Sequence, residues 1–350
     1  MPLIIEGRVP SRWAGKIDPR ATTFDKAAGW VSLALINNMP DAALEDTEIQ
    51  FFDLLDSASG DIPVLLKLYS LKGVPRTDRG QRHLNEFYFS SEQLWNDRFD
   101  AVIITGTEPR QSDLRQEPYW SALADVFDWA ERNTFSTVLS CLAAHAGVLH
   151  SDGIQRHRLS DKQFGVFEFT KTAEHALTAG VDLVRFPHSR WNEVRADELA
   201  ASGYTVLTQS AEGGVDSFAK KKGQSLFVHF QGHPEYGAQT LLKEYRRDIR
   251  RFLQQERETY PTMPKGYFDA ASTKLLTQFQ KTALADPSEK QLAHFPEAVV
   301  KMLERTWRSS ATRVYRNWLQ YVLTRRAEVA SFPAVPGSYT RVQPKRSAAL

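Results

Sequence analysis

Cysteine is almost absent from this chain: Cys141 is the one such residue in 350. An intramolecular disulfide is therefore excluded, and with it a disulfide-stapled scaffold; a reducing compartment suits such a chain. Net charge is also scarce. Lys and Arg number 44 against 42 Asp and Glu, leaving +2 at neutral pH, so no strong field arises for nucleic acid or a membrane surface, and neither is expected as a partner. No run approaches the roughly 20 apolar residues of a membrane helix, and Met1–Arg8 lacks the long apolar core of a signal peptide. There is no cysteine cluster and no His-x-x-x-His pair, so no metal is implied. Repeats and long low-complexity tracts are missing too. With 42% apolar and 25% charged residues, ordinary for a globular protein, what is left is a soluble enzyme or binding protein, expected in the cytoplasm.

The patterning that is present alternates between strand and helix. Val31–Ile36, Ile62–Tyr69, Ala101–Thr105 and Thr137–Leu139 are short aliphatic runs. Ala43–Leu55 and Tyr119–Arg132 carry apolar residues at helical spacing. Such alternation predicts an α/β fold with a mostly parallel sheet flanked by helices, and a site beyond the carboxyl ends of the strands. Shorter β candidates follow at Gln163–Phe169, Val184–Phe186, Thr205–Leu207 and Leu226–His229, then a long helix over Thr240–Glu256. Residues 261–290 read as a polar, Pro- and Lys-rich excursion, and Pro296–Arg326 as one or two helices. The expected organisation is an N-terminal extension (1–30), an α/β catalytic domain (31–260), a helical region packing on it (261–330) and a mobile tail (331–350).

Cys141 falls where the strand-like Ser136–Ser140 gives way to a small-residue helical run, Leu142–Leu149. At a helix N-terminus the first N–H groups lack intrahelical partners and favour negative charge, the environment that makes a thiol nucleophilic. The segment also reads as a buried cysteine serving as a small hydrophobe. His233-Pro234-Glu235 ends the β-type run Leu226–Phe230. In an extended segment His233 and Glu235 would point to one side, the carboxylate orienting the imidazole as in a nucleophile–base–acid triad; a surface turn is the other reading.

Cys, then His, then Glu two residues on is the order of class I glutamine amidotransferase-like domains. The chain resembles more specifically the homoserine O-acyltransferase family, of the homoserine O-succinyltransferase type, which has that flavodoxin-like fold. The similar segments are Asn37-Asn38-Met39-Pro40 with Thr47-Glu48-Ile49-Gln50, Ile103–Gly106 with Tyr119-Trp120, Lys162–Phe167, Pro187–Arg190, Gly232–Tyr236, Glu244–Asp248, and Trp307-Arg308-Ser309 with Asn317-Trp318-Leu319. The resemblance implies that Cys141 takes an acyl group from acyl-CoA as a thioester, that His233 is the general base, and that Glu235 orients it. It places Lys162, Ser189 and Arg247 at substrate-binding positions. Acyl-CoA would be a co-substrate, with no bound cofactor, and L-homoserine the acceptor, in methionine biosynthesis; a homodimer is expected. The tetrahedral intermediate needs donors for its oxyanion, and the N–H of Leu142 with one from Thr105–Thr107 are candidates. His145 and His188 read as packing residues.

Three departures from the family pattern bear on substrate. The nucleophile segment, commonly Cys-Trp-(Gly/Ala)-x-Gln-Ala, is Cys141-Leu142-Ala143-Ala144-His145-Ala146 here. The lysine that follows Asn-Leu-Met-Pro in the family is missing from Asp41–Asp46. The acyl-selecting position, usually Glu for acetyl or Gly for succinyl donors, falls at Arg110. A guanidinium there could pair with a succinyl carboxylate, or simply face solvent. Succinyl transfer to homoserine is the expected activity. Serine or another acceptor, an acetyl donor, a glutamine amidotransferase-like hydrolase and a non-catalytic ligand sensor stay open.

Overall fold

In strand Val31–Ile36, Leu33 and Leu35 belong to one apolar cluster and Ala34 and Ile36 to another, and all are fully buried. A strand covered on both faces is what a continuous aliphatic run encodes in a parallel sheet. The structure is a computed structural model that describes residues 3–14 and 29–331. Residues 15–28 of the expected extension, and the expected tail from 332 on, lie outside the described residues.

Ten strands are described: β1 (Leu3–Ile5), β2 (Val31–Ile36), β3 (Val64–Tyr69), β4 (Ala101–Thr105), β5 (Ser136–Ser140), β6 (His157–Lys171), β7 (Leu183–Glu193), β8 (Thr205–Ser210), β9 (Gly214–Lys222) and β10 (Ser225–Phe230). They form one sheet in the order β1-β3-β2-β4-β5-β10-β9-β8-β6-β7. Pairing is parallel from β1 to β10 and antiparallel from β10 to β7. Numbered from β2, the run β3-β2-β4-β5-β10 has the flavodoxin-like order 2-1-3-4-5. The fold is thus the expected α/β class, with β1 of the N-terminal segment added at its edge.

The helices are α1 (Ser11–Ala14), α2 (Asp41–Ser59), α3 (Asp78–Phe87), α4 (Ser91–Leu94), α5 (Trp120–Asn133), α6 (Leu142–Asp152), α7 (Ala196–Ala201), α8 (Thr240–Leu253), α9 (Ala270–Ala285) and α10 (Arg308–Ser331). Phe51 and Leu55 of α2, Leu241 and Ile249 of α8, and Leu319 and Val322 of α10 pack on the Leu33–Leu35 side. Val126 and Phe127 of α5 and Ala143 and Ala146 of α6 pack on the Ala34–Ile36 side. Helix α10 reaches the parallel strands directly, since Trp318 Nε1 donates to Ser136 Oγ at 2.9 Å.

Residues 261–290 differ from the expected excursion. They contain α9, capped where Asp269 Oδ1 accepts from the Ser272 N–H at 2.7 Å, with Leu276, Phe279 and Ala283 buried. Buried Leu276, Phe279 and Ala283 share the helix with exposed Leu275 and Leu284, which blurs its apolar periodicity.

Candidate active site

Strand β5 ends at Ser140 and α6 begins at Leu142, so Cys141 alone makes the turn, at φ 52° and ψ −110°. An L-residue at positive φ is strained and is held there by its surroundings. The Cys141 N–H donates to Phe230 O (2.8 Å) and its carbonyl accepts from the Ala144 N–H (2.9 Å). Small residues let α6 approach the sheet closely: a Cβ at Gly147 would come 2.4 Å from Leu139 Cδ1.

Beyond β10 the chain turns. The His233 N–H donates to Pro187 O (2.8 Å) and the Tyr236 N–H to His233 O (3.2 Å). His233 and Glu235 therefore meet across a tight turn rather than along an extended segment. The His233 ring is buried, stacked on Tyr236 at 4.1 Å, with Nδ1 at 2.7 Å from Glu235 Oε1. It also hydrogen-bonds the Cys141 side chain. Burial opposes the imidazolium, but the charges of Cys141 and Glu235 and the hydrogen bonds to both outweigh it and raise its pKa well above 6.5. Cys141, His233 and Glu235 thus form one connected chain. The C-terminal segment holds this turn in place: Arg305 Nη2 donates to Glu235 O (3.1 Å), and Arg305 Nε and Trp307 Nε1 both donate to Tyr236 O (2.9 Å each).

Lys162, Ser189 and Arg247 come together through two carboxylates of α8. Lys162 Nζ lies 3.3 Å from Asp248 Oδ2 and 3.6 Å from Glu244 Oε2. Ser189 Oγ donates to Glu244, which also accepts from Tyr236 OH at 2.8 Å. Arg247 Nε donates to Asp248 Oδ1 (3.2 Å), and the guanidinium is half-exposed. Tyr236 joins this cluster to His233, since it donates to Glu244 and stacks on the imidazole; burial, then the charges of Glu244 and Cys141, push its phenol pKa well above 10.0.

Leu142 opens α6, so its N–H has no intrahelical acceptor. A Cβ at Gly106 would lie 3.0 Å from that nitrogen and 2.4 Å from Leu142 Cβ; glycine is what lets the loop after β4 lie against the elbow. Asn38 fixes the loop, its N–H donating to Thr105 Oγ1 (2.8 Å) and its Nδ2 to Thr105 O (3.1 Å). Arg110 stays exposed on the same loop. Its N–H donates to Glu117 Oε1 at 2.5 Å, and among the described residues its side chain makes no ion pair. His145 and His188 are buried, with pKa values lowered by burial to about 3 and about 4. His145 Nε2 lies 2.9 Å from Gln231 Oε1.

A family model described as homoserine O-succinyltransferase matches residues 19–329. The chain belongs to the homoserine O-succinyltransferase family. This is a family of acyltransferase enzymes. A relative named homoserine O-succinyltransferase from Rhodopseudomonas palustris is 44% identical, the match covering 89% of this chain and 94% of that one. One of the same name from Bradyrhizobium japonicum is 42% identical over 83% and 90% of the two chains. Among solved structures, the chain is similar to a glutamine amidotransferase from Thermotoga maritima (13% identity, 83% and 98% covered, TM-score 0.44).

No lysine follows the Asn37–Pro40 turn, but an arginine reaches it. Arg76, nearly buried, donates to Met39 O (2.5 Å) and Ser70 Oγ (3.0 Å) and pairs with Asp41 (3.2 Å), so the turn still carries a cation. Sequence reasoning gave no role to Tyr236, Glu244 or Asp248. The signal was there for two of them: Glu244, Arg247 and Asp248 are spaced i, i+3 and i+4, on one helix face.

Proposed function

We propose that this enzyme transfers a succinyl group from succinyl-CoA to the hydroxyl of L-homoserine through a thioester on Cys141. The observation that carries the reading is the hydrogen-bonded line from Cys141 through His233 to Glu235 at a strained strand–helix turn. The names of the relatives supply the acyl group and acceptor.

In the first half-reaction the Cys141 sulfur attacks the thioester carbonyl, its proton passing to His233. The oxyanion forms beside the Leu142 N–H and the Gly106–Thr107 loop. Collapse breaks the bond to the CoA sulfur, which leaves as the thiol with the proton from His233. In the second, His233 takes the hydroxyl proton of homoserine as its oxygen attacks the acyl-enzyme. Cys141 then departs and recovers the proton from His233. Homoserine is a zwitterion. Arg247 offers a guanidinium to its carboxylate, while Glu244, between Ser189, Lys162 and Tyr236, offers a carboxylate to its ammonium. O-succinylation turns the hydroxyl into a leaving group, which fits methionine biosynthesis.

Intact-mass measurement after exposure to succinyl-CoA tests the mechanism. One succinyl adduct on the wild type, absent from Cys141→Ala and discharged by homoserine but not by serine, is the expected result. CoA release without an adduct would overturn the thioester, and equal discharge by serine the acceptor. Acetyl-CoA run in parallel tests the donor; faster acetylation would overturn the succinyl assignment and the pairing role of Arg110.

A further inference from the structure

A cavity of about 360 Å³ lies beside α6, lined by Ser112, Leu114, His145, Leu149, Gln155, Arg156, Arg158 and Asn192. Its inner wall is His145, four residues and about 6 Å of helix axis beyond Cys141. Its outer wall is cationic. Arg156 is half-buried and anchored by one hydrogen bond, Nη2 to Ser112 O at 3.2 Å. Arg158 lies over the Trp191 ring, 4.4 Å from its centroid. Among the described residues neither arginine has a carboxylate within ion-pair distance, unlike Arg76, Arg247 and Arg305 of the same protein. Trp191 is 36% exposed, one of few large apolar side chains left to solvent.

Two unpaired guanidiniums beside an exposed indole are a recognition set for a phosphorylated aromatic base: phosphate oxygens pair bidentately with guanidinium, and a purine stacks on the ring. We infer that this pocket binds the nucleotide end of the acyl-CoA donor, Arg156 and Arg158 on its phosphates, with the adenine reaching past Arg158 to Trp191, which stands outside the pocket lining. The inference rests on the acyl-CoA reading above. A succinyl carboxylate fits the pocket less well, because two methylenes tie it to the reacting carbonyl, whereas the cavity extends outward to exposed Gln155 and Arg158. The long pantetheine arm spans such a separation.

Calorimetric titration with CoA and with pantetheine, alongside KM for succinyl-CoA and succinyl-pantetheine, tests it on the full chain. The double variant R156Q/R158Q should bind CoA roughly tenfold or more weakly, the scale of losing charge-assisted hydrogen bonds. Its KM for succinyl-CoA should rise in step, while pantetheine affinity and KM for succinyl-pantetheine keep wild-type values. W191A should weaken CoA several-fold. Equal losses with both donors would overturn the inference, placing the arginines on the succinyl carboxylate or in the fold. Unchanged CoA affinity in an active double variant would also overturn it and leave the transferase reading standing. Wild-type protein that binds CoA through these arginines but acylates no acceptor would overturn the transferase reading and leave the pocket standing; no CoA binding at all would overturn both.

Discussion

Glu235 Oε1 sits 2.7 Å from His233 Nδ1 and also accepts a hydrogen bond from Ser140 Oγ at 3.2 Å, so the residue before Cys141 steadies the carboxylate that holds His233. The Glu235 charge is one of the two that raise the His233 pKa above 6.5. Glu235→Gln keeps the shape and removes that charge. His233 should then lose its proton at lower pH, moving the alkaline edge of the imidazolium form down, and kcat should fall by about 100-fold or more. Proton NMR titration of the His233 ring with a pH profile of acyl-enzyme formation measures both; an unmoved titration would sink the orienting role.

Glu244 joins Tyr236, Ser189 and Lys162, and in the proposed reaction it meets only the acceptor. Glu244→Gln should raise KM for homoserine by roughly tenfold or more, yet still form the acyl-enzyme from succinyl-CoA. A loss of acyl-enzyme formation equal to the loss of turnover would place Glu244 in the first half-reaction instead.

How far the sequence spoke depends on which force shapes each part. Val31–Ile36 and Ala101–Thr105 are strands with the bounds expected of them, because burial on both faces writes itself as an unbroken aliphatic run. Helix α3 left no such mark: Gly80 is its one buried residue, and the helix is held by the Thr77 cap and by Asp41. Strand β9 ends in Lys220-Lys221-Lys222, which masks an otherwise buried run. That Cys141, His233 and Glu235 lie together was legible because strand ends mark them. For the carboxylates of α8 the sequence shows only a shared helix face with Arg247; the Glu244 partner Ser189, 55 residues away in the chain, is visible only in the fold.

Gly106 should tolerate no side chain. A Cβ there would lie 2.4 Å from Leu142 Cβ and 3.0 Å from Leu142 N, prising the loop from the elbow. Gly106→Ala should lower kcat by about 100- to 1000-fold, the scale of a lost oxyanion donor, with little change in KM. A variant with wild-type kcat would mean that the oxyanion is held elsewhere.

The C-terminal segment should matter for chemistry as well as folding. Arg305 and Trp307 bind the carbonyls of Glu235 and Tyr236, and Arg305 is itself paired with Asp53. Trp307→Phe removes one donor while Arg305 still satisfies the carbonyl, so the expected cost is about 1 kcal/mol. Arg305→Ala leaves the Glu235 carbonyl without its donor and should lower kcat in addition to stability. Urea unfolding and kcat measured on both variants check this; an Arg305→Ala enzyme that is destabilised but turns over normally would make the clamp structural only.

Acid should destabilise the fold through three histidines that are buried neutral. Burial lowers the pKa of His145 to about 3, His188 to about 4 and His229 to about 3, against 6.5 in the unfolded chain. Below pH 6.5 the unfolded state takes up protons that the folded state refuses. The contribution is therefore fully present above 6.5, and falls as pH drops toward 4 and then 3, by about 1.4 kcal/mol per pH unit for each histidine. His229 is the cleanest probe, since it stacks on Phe218 at 4.5 Å and, among the described residues, its ring has one hydrogen-bonding contact, with Ala144 O at 3.3 Å, outside the proposed chemistry. His229→Phe keeps an aromatic ring in that stack and removes the titration. Urea unfolding between pH 4 and 7 should show a shallower loss of stability for this variant than for the wild type. Parallel slopes would mean that His229 is protonated in the folded protein.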